Sequence, residues 1–399
     1  MVKCGGMPVT VRSFAKINLG LCIGALRTDG FHELRTIYQT IALHDLIHVE
    51  VLRGSGIEIR CADPRVPTDS SNTCYRIVER AIATLRARGR VVVTIEKRLP
   101  VQGGLGGASA NAVAALLGLE RELGKQLGWS KKLRLAAEVG SDLPLFLIGG
   151  TVLGVGHGEE VFPLPDLPSI ACVVATPEIG VSTPQAFADW DGRFPQGLKP
   201  REFGASVGTA EAVPFPSVAA PAAEVPAELR SAWTGRRPVL PPSVPTQAAD
   251  ARAKLTPSAP SDRMIELGRE IAVWLGGPAE VKAVAKKVQQ KSKAVSGVPA
   301  IGRGRAETLL LDLVRTGIEN DFEQVVFPKH PELREVKRVL ERAGARYASL
   351  SGSGSALYGL FGSRAAAEKA AARLRKGGIR AVVTTTLTRA QYWRRIFDC

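Results

Sequence analysis

Pro100-Val-Gln-Gly-Gly-Leu-Gly-Gly-Ala-Ser-Ala-Asn111 is the stretch on which the fold of this 399-residue chain turns. It follows a β-branched run, residues 91–95, that reads as a strand. It precedes an alanine-rich run, 112–119, that reads as a helix. Glycines let a backbone take positive φ and approach a ligand closely. Successive N–H groups then face one concavity, and the positive end of the following helix adds to it, which suits a phosphate. The stretch is neither a Walker A loop, since no G-x-x-x-x-G-K-[ST] occurs in the chain, nor a G-x-G-x-x-G turn. A plain tight turn is the simpler alternative. Five small residues in the six positions from Gly103 to Ala108, around Leu105, favour the phosphate reading.

Outward from the loop, residues 9–15, 47–52 and 57–60 read as strands. Residues 72–85 read as a helix, with Ile77, Val78, Ala81, Ile82 and Leu85 at helical spacing. After Asp191 the composition shifts. Residues 193–261 are dominated by Pro, Ala, Ser and Val without periodicity and read as an insertion, a long loop or partly disordered. Residues 264–275 have helical spacing, and 282–293 are basic. Further on, 306–315, 332–343 and 364–376 read as helices, the second ended by Gly344. Residues 346–350, 356–361 and 380–386 read as strands around a second glycine turn. The order points to an α+β chain of two domains: an α/β domain at 1–165 and an α/β sandwich with an antiparallel sheet at 166–399.

Lys and Arg outnumber Asp and Glu by 53 to 38, a formal charge of +15. That surplus suits polyanionic partners, whether nucleic acid, anionic membrane or phosphorylated small molecules, and does not choose among them. The six cysteines are scattered, with no C-x-x-C and no zinc spacing, which fits a reducing compartment. The first ten residues lack the apolar run of a signal peptide. The longest apolar stretch, 143–156, is too short and glycine-rich to span a bilayer. The expectation from these features is a soluble, intracellular protein.

Three segments in order carry a resemblance to the GHMP kinases. They are Ala15-Lys16-Ile17-Asn18-Leu19, the P-x-x-x-G-L-G of Pro100 to Gly106, and Leu350-Ser351-Gly352-Ser353-Gly354-Ser355. Asp29-Gly30-Phe31-His32-Glu33-Leu34, Gly140-Ser141-Asp142-Leu143-Pro144-Leu145-Phe146 and Asn320-Asp321-Phe322-Glu323 resemble the branch of that family acting on diphosphocytidyl-methylerythritol. The resemblance spans about residues 9–190 and 305–362. Gln102, Ala108 and Ala110 depart from it, standing where the branch usually has Gly, Gly and Ser.

The resemblance implies a two-domain GHMP kinase fold and ATP-dependent phosphorylation of the 2-hydroxyl of a diphosphocytidyl-methylerythritol, a step of non-mevalonate isoprenoid synthesis. It makes Asp142 the base that takes the hydroxyl proton, with Lys16 beside it orienting the carboxylate and offsetting charge. Gly103, Gly104, Leu105, Gly106, Gly107, Ala108, Ser109 and Asn111 would hold ATP. Mg²⁺ is expected as its companion, with no dedicated protein metal site. For the second substrate it assigns Asn18 to the methylerythritol end, Phe31 and Phe187 to the faces of the cytosine, His32 to its edge, and Thr183 to a phosphate. Each residue has a plainer alternative: a helix cap for Asp142, a strand-end lysine for Lys16, core packing for the two phenylalanines and a satisfied structural histidine for His32. The rival functions are another GHMP kinase, a nucleic-acid-binding protein on a degenerate kinase fold, and an active kinase with a docking insert. With that resemblance, a monomer or homodimer in the bacterial cytoplasm, binding neither membrane nor nucleic acid, is expected.

Overall fold

The computed structural model describes residues 7–101, 103–194 and 319–397, all of which belong to one compact unit. Gln102, nearly all of the 193–261 insertion, the helices expected at 264–275 and 306–315, and the basic stretch 282–293 lie outside the described residues. Elements are numbered along the described residues.

A long hairpin of β1 (Val9–Leu26) and β2 (His32–Leu52) organises the first lobe. Both strands extend well past the segments expected from β-branched composition. The reason is burial: from Phe14 to Ile23 every β1 residue is buried, so the one-sided alternation that marks a strand in sequence is absent. Register shifts interrupt the pairing between Phe14 and Lys16 and again between Asn18 and Gly20. Such bulges bend a strand and re-aim its side chains, and here they flank Lys16 and Asn18.

β3 (Gly56–Cys61) runs parallel to β4 (Arg90–Glu96), joined through α1 (Thr73–Leu85). The C-terminal half of β2 pairs with β4 and its N-terminal half with β5 (Thr151–Val155), which pairs in turn with β6 (Glu160–Pro163). Asn72 starts α1, its Oδ1 accepting from the Cys74 N–H at 2.8 Å. α2 (Gly107–Leu123) is buried continuously from Ala110 to Glu120, so it packs as a central helix and not as a surface one. Gly118 lets it approach β2: a Cβ there would lie 2.6 Å from Val49 Cγ2. α3 (Trp129–Val139) and α4 (Leu143–Ile148) complete this lobe, so the apolar stretch 143–156 resolves into α4, a turn and β5.

The second lobe is a four-stranded antiparallel sheet in the order β10 (Arg380–Thr385), β7 (Ala171–Thr176), β9 (Leu357–Phe361), β8 (Tyr347–Leu350). α5 (Thr183–Arg193), α6 (Glu323–Lys329), α7 (Pro331–Arg342) and α8 (Arg364–Lys376) accompany it. α7 and α8 fall where helical spacing put them. Trp190, Val326, Leu340, Phe361 and Ala371 share the core between helices and sheet. A second core joins Val174, Tyr358 and Leu360 of this sheet to Ile17, Leu19, Ile37 and Ile41 of the first. The two lobes are therefore one packed body, and an expected division near residue 165 falls in the connection between β6 and β7. α9 (Arg389–Arg395) returns to the first lobe, where Tyr392 Oη donates to the Phe146 carbonyl at 2.6 Å. Among the described residues no helix is long and apolar enough to cross a membrane.

Candidate active site

Three distant glycine-bearing or lysine-bearing segments meet at one place. The Lys16 N–H donates to the Leu105 carbonyl at 3.0 Å, the Ala356 N–H to Gly103 at 3.1 Å, and Ser351 Oγ to the Gly104 carbonyl at 3.0 Å. Gly104 has φ +78°, and a Cβ on it would overlap the Ser351 carbonyl oxygen. Gly106 has φ +69°, and its Cβ would lie 2.9 Å from Phe146 Cζ and 3.0 Å from Lys16 Cγ. Only glycine meets both demands, of backbone conformation and of space.

The loop leads directly into α2, whose N-cap position is Gly106 and which has no side-chain cap. First-turn N–H groups of a helix lack intrahelical partners and sit at the positive end of its dipole. They open on a cavity of about 320 Å³ lined by Gly103, Gly104, Gly106, Gly107, Ala108, Ser109 and Asn111. Leu105 differs from the other loop residues: its side chain is buried in the inter-lobe core, and only its backbone serves the loop. Asn111 lines the cavity while its Oδ1 accepts from Ser13 Oγ at 2.6 Å, which ties α2 to β1.

The remaining cavity wall carries no motif signal in the sequence. Arg65 and Asn72 come from the approach to α1, Cys74 from its first turn, and Lys97 from just past the end of β4. Lys97 Nζ donates to Asp45 Oδ2 at 2.6 Å, and fully buried Asp45 also accepts from the Arg98 and Leu99 N–H groups, both at 2.7 Å. Three donors satisfy that carboxylate, so it anchors the strand exit leading to Pro100. The Arg65 side chain gives Asp63 two hydrogen bonds and its backbone N–H a third, which together draw the carboxyl down to about 2. Burial pushes the Cys74 thiol up to about 12, which leaves it protonated and unreactive at neutral pH.

Lys16 and Asp142 are brought together. Lys16 is 4% exposed; its Nζ donates to Asn18 Oδ1 at 2.7 Å and lies 3.5 Å from Asp142 Oδ2. Asp142 occupies the N-cap position of α4 but makes no capping hydrogen bond. Its Oδ1 instead accepts from Tyr38 Oη at 3.1 Å. The helix-cap alternative for this aspartate therefore fails on geometry. Asn18 passes the chain of hydrogen bonds on, its Nδ2 donating to Thr36 Oγ1 at 2.7 Å. The Asn320-Asp321-Phe322-Glu323 segment supports the same corner. Asn320 Nδ2 donates to the Leu350 and Gly352 carbonyls, and Asp321 Oδ2 accepts from the Ile23 N–H.

The aromatic residues lie in two groups. Phe31 is 56% exposed, with its ring 5.0 Å from that of His157. Phe187 stacks on His32 at 5.2 Å and meets Phe322 edge-on at 5.0 Å, half-buried against the second-lobe core. His32 itself is buried, with Nδ1 3.2 Å from the Gly24 carbonyl and Nε2 3.2 Å from Asp191 Oδ1. Both of its ring nitrogens thus have protein partners, as the structural-histidine alternative requires. Thr183 Oγ1 lies 2.7 Å from Ser353 Oγ and links the start of α5 to the third glycine segment.

Sequence families and solved structures place this arrangement. The GHMP kinases N terminal domain matches residues 72–150, and the GHMP kinases C terminal domain matches 299–380. A crystal structure of 4-(cytidine 5'-diphospho)-2C-methyl-D-erythritol kinase superposes with a TM-score of 0.57 at 24% identity, over 94% of this chain and 98% of that one. The homoserine kinase of Cytophaga hutchinsonii gives 0.56 at 16% identity, over 97% and 98%. Fold and family matches together are those of the GHMP kinase class, which uses ATP.

At the level of sequence the relatives are more particular. The 4-diphosphocytidyl-2-C-methyl-D-erythritol kinase of Solibacter usitatus is 31% identical over 89% of this chain and 81% of its own length. The enzyme of the same name from Acaryochloris marina is 30% identical over 92% and 91%. The chain belongs to the family of these kinases.

Proposed function

We propose that this chain transfers the γ-phosphoryl group of ATP to the 2-hydroxyl of 4-diphosphocytidyl-2-C-methyl-D-erythritol, in non-mevalonate isoprenoid synthesis. The observation that carries the proposal is the Lys16–Asp142 pair, 3.5 Å apart, beside a glycine loop that opens the N-terminus of α2 onto a cavity.

In this reading the substrate hydroxyl oxygen attacks the γ-phosphorus, the bond from that phosphorus to the β-bridging oxygen breaks, and ADP leaves. Asp142 takes the hydroxyl proton. Lys16, held by Asn18, offsets the charge that spreads over the transferring group. The α2 N-terminus and the N–H groups of Gly103 to Ser109 hold the phosphates in line, and positioning supplies much of the rate. Asn72 and Lys97 line the same cavity.

Among the described residues there is no group of three or more His, Cys, Asp or Glu able to hold a metal ion. A magnesium ion would arrive with ATP and would be held mostly by phosphate and water oxygens. Such an ion neutralises phosphate charge. Asn18 meets the methylerythritol end. Exposed Phe31 offers a face to the cytosine, and Phe187 with His32 forms the wall beside it. Thr183 reaches a phosphate from the start of α5. A bacterial cytoplasmic monomer or homodimer that binds no nucleic acid completes the proposal.

Coupled ADP release from MgATP tests it, with diphosphocytidyl-methylerythritol as acceptor and mevalonate and homoserine as controls. The expected result is turnover of the cytidyl substrate alone, lost in Asp142→Asn. Turnover only with a control would move the chain to other acceptors, and no turnover with any would remove the kinase reading.

A further inference from the structure

Tyr38 belongs to no motif, yet the fold is shaped around its hydroxyl. β2 places it opposite Asn18 of β1 on one side and Val152 of β5 on the other. The residue is 3% exposed, and its ring lies 5.5 Å from Lys16 Nζ, within cation–π range. Two glycines make room for it. A Cβ on Gly154 would lie 2.5 Å from Tyr38 Cε2, and one on Gly158 would lie 2.6 Å from the hydroxyl oxygen itself. A phenylalanine would fill the ring space equally well, so the opening at Gly158 serves the oxygen.

That oxygen donates to Asp142 Oδ1. Burial, then the charge of Asp142, push the phenol's pKa well above its ordinary value, so it stays a donor across the working pH range. The turn that carries Gly158 also braces the residue before the aspartate. His157 Nδ1 lies 2.7 Å from Ser141 Oγ and 3.2 Å from Glu159 Oε2.

We infer that Tyr38 is a positioning residue that fixes the plane of the Asp142 carboxylate, leaving Oδ2 toward Lys16 and the reacting hydroxyl. The inference rests on the reading of Asp142 as the base. With Oδ1 held, the carboxylate cannot rotate into the capping geometry that its place at the head of α4 otherwise favours. The hydroxyl therefore acts on the chemical step and not on binding.

A double-mutant cycle tests this on the full-length chain: wild type, Tyr38→Phe, Asp142→Asn and both together, with kcat and KM for both substrates and the nucleotide Kd measured directly. Tyr38→Phe is expected to lower kcat about tenfold, with KM and nucleotide Kd unchanged within about twofold. In the Asp142→Asn background the same substitution is expected to change nothing. An unchanged kcat, a rise confined to KM, or an equal loss in both backgrounds would overturn the positioning role. Full activity of Asp142→Asn alone would instead overturn the base reading, and the inference with it. Unaltered nucleotide Kd separates either result from a folding defect.

Discussion

Lys16 and Asp142 stand 3.5 Å apart, one buried on a bulged β1 and the other half-buried at the head of α4, where it makes no capping hydrogen bond. Their opposite charges attract across that gap. Asn18 and Tyr38 hold the two partners from opposite sides, so the pair is oriented as well as adjacent.

Replacing Asp142 by asparagine preserves shape and removes the proton acceptor. The expected loss in kcat is about 10²- to 10⁴-fold, with nucleotide affinity retained. Steady-state kinetics beside a direct nucleotide titration measures both.

Lys16→Met is expected to lower kcat about 10²- to 10³-fold. Lys16→Arg is expected not to restore it. Gly106 would meet Lys16 Cγ at 3.0 Å through an added Cβ and Gly352 would meet its Nζ at 3.4 Å, so the surroundings leave little room for a guanidinium. Recovery of wild-type kcat in the arginine variant would show that charge alone suffices.

Gly104→Ala should destabilise the chain and weaken nucleotide binding together. The residue has φ +78°, and the new Cβ would overlap the Ser351 carbonyl. The backbone term alone costs about 1–3 kcal/mol, read as a lowered unfolding midpoint. Gly124→Ala is the control: it also has positive φ, but nothing lies within 4 Å of its Cβ position, so it should cost less.

Asp45→Ala tests the buried anchor under the cavity. Removing a fully buried carboxylate strands Lys97 and two backbone N–H groups. The expected cost is about 3–5 kcal/mol, measured by urea unfolding. A loss well below that range would mean that the strand exit relaxes onto water.

Alkaline pH should weaken the fold. Burial raises the phenols of Tyr38, Tyr347, Tyr358 and Tyr392 above their ordinary value of about 10. Between that value and the raised ones the unfolded chain releases protons that the folded chain keeps, so stability falls as pH rises. The contribution is fully present below about pH 9 and declines above about pH 10, by up to about 1.4 kcal/mol per pH unit for each phenol. Urea midpoints taken between about pH 8 and about pH 11 check this, with tyrosinate absorbance as the direct readout.

Local chemistry was legible in the sequence. The small residues of 103–108 required a close backbone approach. The spans of α1 and α8 were read to within a residue, and the structure shows Asn72 and Ser363 capping their starts. Three motifs in order carried the family. These features depend on neighbours a few residues away, and periodicity and turn chemistry encode them directly. Tertiary structure decided the rest. β1 beyond residue 15 and the first half of β2 were hidden because burial on both faces erases alternation. Lys97 became a cavity wall only through Asp45, Tyr38 reached Asp142 only because β2 lies between β1 and β5, and Asp142 left its capping position for partners on other elements. Which side chains meet across sheets depends on strand register and lobe packing, contacts between residues far apart in the chain that no local pattern records.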